Sequence, residues 1–268
     1  MKSFRLERWD RGRLTINADH AALLRHAQLT TFEALWAYTA AGEVAKDLRA
    51  ERLTLRFELT DANGAAHSFY IKRHRGTPWR EYVKPLLQGR WPSVGARPEW
   101  RAVLAFHAAG LATMTPVALG ETRAASFLIT AALEGCHKLS EREAAQPPRE
   151  RRDVLADVAR IASQMHGAGL HHQDFYLGHL MRPDGDDGPI HVIDLGRVQP
   201  HSPWTARRWI VKDLAQLNYS AQSATAAERL RFLRTYLGRP LSDADRPLMA
   251  SILRKTARIA RHSRKNGL

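Results

Sequence analysis

The most informative part of this chain consists of two segments, His171-His-Gln-Asp-Phe-Tyr-Leu-Gly-His179 and Ile190-His-Val-Ile-Asp-Leu-Gly-Arg197. In the second segment an apolar run ends on Asp194, and a glycine follows two residues later. The two carboxylates, Asp174 and Asp194, are joined by a turn-rich connection and can converge on one point. One could orient or deprotonate a hydroxyl while the other holds Mg²⁺, which prefers oxygen ligands. A helix-capping role for Asp174 and a turn role for Asp194 are the alternatives.

Two charged residues stand far upstream of these segments. Lys72 lies in Phe69-Tyr-Ile-Lys-Arg73, where alternation places Tyr70 and Lys72 on one face of a predicted strand. Glu99 follows a proline at the start of a predicted helix. Taken singly, a solvated strand lysine and a glutamate that favours the helix dipole explain both.

The order of predicted elements divides the chain into a β-rich part and an α-rich part. The pattern predicts five antiparallel strands with one inserted helix, Glu99–Ala109, after the third strand. Helices are then predicted near 150–167 and at Ile210–Asn218, Ala226–Tyr236 and Pro247–His262. We therefore predict an N-terminal extension over 1–39, a β-rich lobe over 40–133, a linker at 134–149 and an α-rich lobe over 150–268.

Composition and charge exclude several classes of protein. The chain has 268 residues, an ordinary hydrophobic share of 44% and a formal net charge of +14. A single cysteine, Cys136, excludes an internal disulfide framework and multi-cysteine zinc sites. No apolar run is long enough to span a membrane, and the charged start does not resemble a signal peptide. These features predict a cytoplasmic protein, working either free or peripherally at the inner face of the inner membrane.

The basic charge favours anionic partners. No acidic residue occurs from Arg246 to the C-terminus, where a basic amphipathic helix is predicted. An anionic membrane leaflet, an acidic protein partner and a simple solvated helix face are the interpretations that this stretch leaves open. Nucleic acid is not expected as a partner, because zinc-finger spacing and aromatic RNA-binding motifs are absent from the sequence.

The order Lys, Glu, His-x-Asp, Asp-x-Gly resembles the α+β, bilobal protein-kinase-like fold, with a five-stranded antiparallel N-lobe and a mostly helical C-lobe. More specifically, the chain resembles the bacterial lipopolysaccharide kinase family from about residue 40 to about residue 240. This resemblance rests on several stretches, among them Phe69-Tyr-Ile-Lys-Arg-His-Arg-Gly76, Val94-Gly-Ala-Arg-Pro-Glu-Trp100, Ser126-Phe-Leu-Ile-Thr130 and Arg208-Trp-Ile-Val-Lys-Asp-Leu-Ala215.

The resemblance implies an ATP- and Mg²⁺-dependent kinase and a role for each matching residue. Lys72 would hold ATP phosphates and Glu99 would pair with it, while backbone groups near Thr130–Leu133, including Thr130 and Leu133 themselves, would contact adenine. Asp174 would act as the catalytic base and Asp194 as a Mg²⁺ ligand. His172 and Asp213 would support the segment around Asp174, His171–His179, which is called the catalytic loop below.

Two departures from the protein-kinase pattern bear on this interpretation. The turn around Arg49–Arg52 has no glycine where protein kinases carry a glycine-rich phosphate loop. His179 replaces the asparagine five residues after the catalytic aspartate. It would either coordinate Mg²⁺ or hydrogen-bond Asp174 and orient it, and we favour the second role because imidazole suits softer metals.

The resemblance also implies the acceptor, a heptose hydroxyl of the lipopolysaccharide inner core. Phosphorylation of Kdo or another small sugar is the alternative reaction, and a degenerate kinase fold that only binds nucleotide or a partner is the alternative class. We hypothesise that the basic and aromatic segment after the lysine strand, with Arg73, Arg75, Trp79 and Arg80, faces the carboxylates and sugar rings of this acceptor. The alternative is that these side chains shield the sheet or aid solubility.

Overall fold

The computed structural model describes residues 3–38, 44–47, 52–75, 95–142, 148–185, 188–200 and 203–265. These residues form two compact units. The first comprises Met1–Ala108 and Thr113–Glu134, and the second comprises Ala109–Ala112 and Gly135–Leu268.

The first unit is built on one antiparallel sheet of seven strands. They are β1 (Leu6–Trp9), β2 (Leu14–Asn17), β3 (Val44–Asp47), β4 (Arg52–Thr60), β5 (Ala66–Arg75), β6 (Pro116–Glu121) and β7 (Ala125–Ala131), in the order β1-β2-β6-β7-β5-β4-β3. The five predicted strands are confirmed as β3 to β7, but their predicted number is wrong, because β1 and β2 of the predicted N-terminal extension join the same sheet. β1 and β2 are too short to show a clear alternation, and β2 pairs with a distant segment, as in the register Thr15↔Leu119.

Helices cover both faces of this sheet at β6 and β7, which explains why these two strands are buried on both sides. On one face α1 (Ala21–His26) and α2 (Phe32–Ala37) pack with apolar side chains that include Phe69, Ile71 and Phe127. On the other face α3 (Arg97–Ala108) belongs to a smaller cluster of Ala96, Trp100, Leu119 and Leu128. The sheet thus holds α3 at a fixed position against β6 and β7.

The second unit is mostly helical. Its helices are α4 (Leu139–Arg142), α5 (Pro148–Gly167), α6 (Pro203–Ser220), α7 (Ala226–Leu237) and α8 (Arg246–Lys265). Its short strands are β8 (Cys136–Lys138), β9 (Leu170–His171), β10 (Leu180–Pro183), β11 (His191–Val192) and β12 (Gln199–Pro200), arranged as β11-β10-β8 and β12-β9. The predicted helices are confirmed, and several of them are longer than predicted. Within the described part of the chain, no helix has the length and apolar character that crossing a membrane requires.

Candidate active site

The first unit pairs Lys72 with Glu99. Lys72 lies on β5 and Glu99 in the first turn of α3, and the lysine Nζ donates a hydrogen bond of 2.6 Å to Glu99 Oε1. Glu99 is only 4% exposed, so its charge lies in a largely dehydrated setting where an ion pair needs good geometry. The Ala96 N–H donates to Ser126 Oγ on β7, 3.0 Å away, and fixes the chain just before α3 begins. The sheet and the helix therefore hold this ion pair in place.

The predicted acceptor residues of the first unit divide into three cases. The Arg73 guanidinium donates to the Tyr38 carbonyl at 2.8 Å and lies 5.7 Å from the Trp36 ring centre, so it is engaged within its own unit. Arg75 is exposed at the end of β5. Trp79 and Arg80 lie outside the described residues.

The predicted adenine-binding segment follows β7. Thr130 is buried inside the strand, and the backbone N–H groups of Ala131 and Ala132 donate to the carbonyls of Thr115 and Ser68. These two amides are therefore committed to the sheet. Leu133 is half-buried and lies beyond the last residue of β7.

In the second unit, Asp174, His179 and Asp194 lie together. Each offers one ligand atom, and these atoms all lie within 4.8 Å of one another. The two carboxylates are hard oxygen donors of the kind that Mg²⁺ takes, and the imidazole is a softer donor. The donor set of these three residues, called the Asp–His–Asp cluster below, therefore fits a divalent cation.

His179 is oriented by the backbone of the catalytic loop. Its Nδ1–H donates to the Asp174 carbonyl at 2.7 Å, while Nε2 faces Asp194 Oδ2 at 3.7 Å, too far for a hydrogen bond. A ring held in this way through Nδ1 presents Nε2, the usual arrangement of a metal-binding histidine. The hydrogen bond goes to the backbone of Asp174, not to its carboxylate.

Asp194 occupies an unusual backbone position. Its φ of 58° is left-handed, a conformation that aspartate adopts more readily than most residues. A short 3₁₀ turn, Leu195–Arg197, follows directly and brings the Arg197 guanidinium to 3.5 Å from Asp174 Oδ1. The turn therefore places a cation beside the predicted base.

Asp213 braces the backbone of the catalytic loop. Its two carboxylate oxygens, fully buried on α6, accept hydrogen bonds from the N–H groups of His172 at 2.8 Å and Gln173 at 2.7 Å. Gln173 has a φ of 65°, and a left-handed residue of this kind lets successive N–H groups point toward one anion. The loop thus has a fixed, strained shape around one carboxylate.

His172 joins the two sequence segments. Its ring Nε2–H donates to the Ile193 carbonyl at 3.0 Å, and its Nδ1 accepts from the Asp174 N–H at 3.3 Å. Burial lowers the pKa of His172, which keeps the ring uncharged in this role. Asp174 and Asp194 are therefore positioned through one shared histidine.

Gln216, His166 and Tyr236 are among the residues acting on this loop that sequence reasoning missed. Gln216, one turn after Asp213 on α6, donates from Nε2 to the Gln173 carbonyl and the Tyr176 hydroxyl, each at 3.1 Å, and lies 3.5 Å from Asp174 Oδ1. His166 lies with Nε2 3.3 Å from Asp213 Oδ2 and Nδ1 2.9 Å from the Tyr236 hydroxyl. Burial raises the pKa of Tyr236 to about 12, so its phenol remains a donor. Only the spacing of Gln216 from Asp213 could have indicated its role.

Comparisons with known proteins identify similar sequences over most of the chain. The family description "Lipopolysaccharide kinase (Kdo/WaaP) family" matches residues 21–236. The lipopolysaccharide core heptose(I) kinase WaaP of Pseudomonas aeruginosa is 40% identical over 246 residues, covering 84% of this chain and 89% of that protein. The enzyme of the same name from Escherichia coli K12 is 35% identical over 248 residues, covering 85% of this chain and 91% of that protein.

A solved structure gives the same result for the fold. WaaP in complex with acyl carrier protein matches with a TM-score of 0.67 and 34% identity, covering 95% of this chain and 98% of that one. The predicted kinase-like fold is thereby confirmed. Taken with the match over residues 21–236, this similarity shows that the chain is a kinase of the lipopolysaccharide kinase (Kdo/WaaP) family.

Proposed function

We propose that this kinase transfers the γ-phosphoryl group of ATP to a heptose hydroxyl of the lipopolysaccharide inner core. The observation that carries the proposal is the Asp–His–Asp cluster of Asp174, His179 and Asp194, next to a loop whose backbone is braced by the buried Asp213. Its relatives from two bacteria are lipopolysaccharide core heptose(I) kinases, which supports heptose over Kdo as the acceptor.

Each residue of the site has a role suited to phosphoryl transfer, which depends mainly on positioning and charge neutralisation. Asp174 would accept the proton of the attacking hydroxyl, and Arg197 and Gln216 would orient its carboxylate. Lys72, held by Glu99, would bind ATP phosphates. Asp194 and His179 would hold Mg²⁺, which when bound would neutralise phosphate charge.

The remaining roles belong to the same proposal. Adenine would contact backbone groups of Thr130–Leu133 other than the two amides committed to the sheet. Arg75, Trp79 and Arg80 would contribute to acceptor binding. Arg73 would contribute only through guanidinium N–H groups that its contacts with Tyr38 and Trp36 leave available. The enzyme would work at the inner face of the inner membrane, where an anionic leaflet suits its basic surface.

Mass spectrometry of the acceptor tests the reaction. Purified, dephosphorylated inner-core lipopolysaccharide is incubated with Mg²⁺-ATP and either the wild type or Asp174→Ala. We expect the wild type to add one phosphate, located on heptose by fragmentation, and the variant to be slower by about 10²–10⁴-fold. Phosphate found on Kdo would contradict the heptose assignment. ATP binding with no transfer to any sugar would favour the degenerate binding module.

A second candidate function, binding of an acyl carrier protein, is favoured by a cavity within the second unit. The cavity has a volume of about 320 Å³ and is partly open to solvent. Its walls are almost entirely apolar and come from all five helices, with Leu139, Val158, Leu217, Leu233 and Ile252 among the lining residues. An apolar cavity of this kind suits an acyl chain, and the related WaaP structure contains an acyl carrier protein.

Binding to acyl carrier protein can be tested by blocking the cavity. Leu217→Trp would fill space that an acyl chain needs, whereas the exposed Arg234→Ala on α7 leaves the cavity unchanged. We expect decanoyl-acyl carrier protein to bind the wild type and the Arg234→Ala control, and to bind Leu217→Trp at least tenfold more weakly. Equal binding of decanoyl- and unacylated carrier protein would contradict a role for the cavity.

A further inference from the structure

A cationic face lies on the surface formed by α6 and α8, and we define it by Arg208, Lys212, Lys255 and Arg258. The two helices are joined through Thr256, whose hydroxyl accepts a hydrogen bond from Asn218 Nδ2 at 3.0 Å and shares its proton between the carbonyls of Ile252 at 3.0 Å and Ala215 at 3.3 Å. Arg208 and Arg258 are exposed, and Lys212 and Lys255 are half-buried. The face is therefore a property of two packed helices and not of one flexible tail.

The cationic face begins at the catalytic loop. The Lys212 ammonium donates to the Gln173 carbonyl, one residue before Asp174. The same ammonium lies 5.6 Å from the centre of the Trp209 ring, and the Arg208 guanidinium lies 5.1 Å from that centre. Attraction between a cation and an aromatic ring fixes both side chains around one buried tryptophan. Positive charge thus extends along α6 away from the predicted base.

The charges of this face repel one another. Burial lowers the pKa of Lys255, and the nearby Arg258 and Arg208 lower it further. Among the residues that the structure describes, Arg208, Lys255 and Arg258 form no ion pair with an acid. Cations gathered without acidic partners destabilise a fold, and a bound anion relieves that cost.

An exposed aromatic ring completes the face. Trp204 is 94% exposed and stands one helical turn before Arg208, so the two side chains lie on the same side of α6. A tryptophan this exposed offers a broad apolar surface beside a polar edge. A flat ring next to several cations suits a ligand that combines sugar rings with negative charges.

We propose that the cationic face is an anion subsite, which binds carboxylates on sugars next to the one that is phosphorylated. The proposal rests on the proposed function, because it takes the acceptor to be an acidic oligosaccharide. It assigns binding of the reacting sugar's neighbours to α6 and α8. Arg208 and Arg258 bind the carboxylates, and Trp204 packs on a ring.

Direct binding measurements test this subsite without relying on catalysis. The ligand is deacylated, dephosphorylated inner-core oligosaccharide, and its affinity is compared for the wild type, Arg208→Glu/Arg258→Glu and the control Arg234→Glu. Arg234 is likewise an exposed helical arginine of the second unit, and it forms no ion pair with any acid in the described part of the chain. We expect the double charge reversal to raise Kd about tenfold, because two exposed charge pairs change from attraction to repulsion. The Kd of the control variant should stay within twofold of the wild-type value. Circular dichroism verifies that each variant is folded.

A chemically altered ligand makes the test specific for carboxylates. Oligosaccharide with its carboxylates reduced to alcohols should bind the wild type about tenfold more weakly and show no difference between wild type and double variant. An unchanged Kd for the double variant would overturn the proposal. So would a variant that loses binding to vesicles of anionic phospholipid while keeping its affinity for oligosaccharide, because the face would then contact membrane.

The same samples separate the subsite from the reaction. Phosphate transfer is measured in parallel with binding. If the wild type binds the oligosaccharide through Arg208 but transfers no phosphate, the proposed function fails and the subsite stands. If phosphate is transferred and the double reversal changes neither Kd nor the KM for the acceptor, the subsite fails and the function stands.

Discussion

Asp213 and Asp194 are two aspartates of the same unit that the structure uses in opposite ways. Asp213 is fully buried and accepts two backbone hydrogen bonds, whereas the Asp194 side chain is 49% exposed and points toward His179 across 3.7 Å. A buried carboxylate whose two oxygens both accept hydrogen bonds from the protein holds structure, and one that is accessible can bind a ligand. Asp213 therefore fixes the shape of the loop, whereas Asp194 is available to bind a ligand.

Removing the accessible charge should produce the largest effect on activity. Asparagine tolerates the left-handed backbone of position 194, so Asp194→Asn keeps the loop and removes only the charge. We expect phosphate transfer to fall by on the order of 10³-fold, the size of losing one electrostatic contact to a developing charge, with the melting temperature unchanged. Steady-state kinetics and thermal denaturation measure the two quantities.

Asp184→Asn is the matched control for this variant. Asp184 is also about half exposed, at 52%, and its carboxylate also pairs with a histidine, His137, at 3.0 Å. The Asp184→Asn variant should keep its rate of phosphate transfer within twofold of the wild-type rate. A large loss of activity in both variants would mean that the accessible charge at Asp194 has no special role.

Removing the buried charge should affect stability first. In Asp213→Asn the amide NH₂ must face either the His172 or the Gln173 N–H, which leaves buried donors unsatisfied. We expect the free energy of unfolding to fall by about 3 kcal/mol and transfer to fall as well, because the loop loses its shape. Urea unfolding measures the first effect, and a variant that is inactive with unchanged stability would contradict the bracing role.

Arg197 should contribute a smaller, charge-dependent effect. Its guanidinium lies near Asp174 but is 61% exposed, so solvent weakens the interaction. We expect Arg197→Ala to reduce kcat/KM about tenfold, and Arg197→Lys to restore most of the loss because it restores the cation. If lysine and glutamine at this position give equal rates, the charge is not what matters.

Tyr236 should give the smallest effect, and one that depends on pH. The pKa of its phenol is raised from 10.0 to about 12 by burial, so the folded state keeps the neutral form. The stability gained from this is fully present below pH 10 and is lost as pH rises toward 12. We expect Tyr236→Phe to cost about 1 kcal/mol near pH 8 through its lost hydrogen bond to His166.

Above pH 10 the difference between wild type and Tyr236→Phe should shrink, because only the wild type has a phenol to ionise. Urea unfolding at pH 8 and pH 11 measures it, with Tyr219→Phe on α6 as the control. A difference that grows with pH would contradict the assigned hydrogen bond.

The sequence was sufficient for features that depend on local pattern. The apolar run ending at Asp194 and the alternation around Lys72 are visible within a few residues, and the α8 helix follows from its spacing of apolar side chains. The strands β1 and β2 were missed because they consist of four residues each and pair with, or through, a segment about a hundred residues away.

Side-chain contacts across long distances were also beyond the sequence. His166 and Tyr236 are 70 residues apart, and only the packing of α5 against α7 brings them together. Arg73, a cation that the sequence suggested for a ligand, shows the same limit, because its contacts with the Tyr38 carbonyl and the Trp36 ring were not visible in the sequence. Charge counted along a sequence does not reveal which cations the fold itself uses.

If the proposed anion subsite exists, helix α6 sets the distance between the reacting hydroxyl and a bound carboxylate. Gln216, beside the predicted base, and Arg208, in the cationic face, are eight residues apart on this one helix, about 12 Å along its axis. The hydroxyl that reaches Asp174 would then be selected by its distance from a bound carboxylate, not by the shape of the reacting sugar alone. Inserting one residue into α6 between them would turn Arg208 by about 100° and change which hydroxyl is phosphorylated.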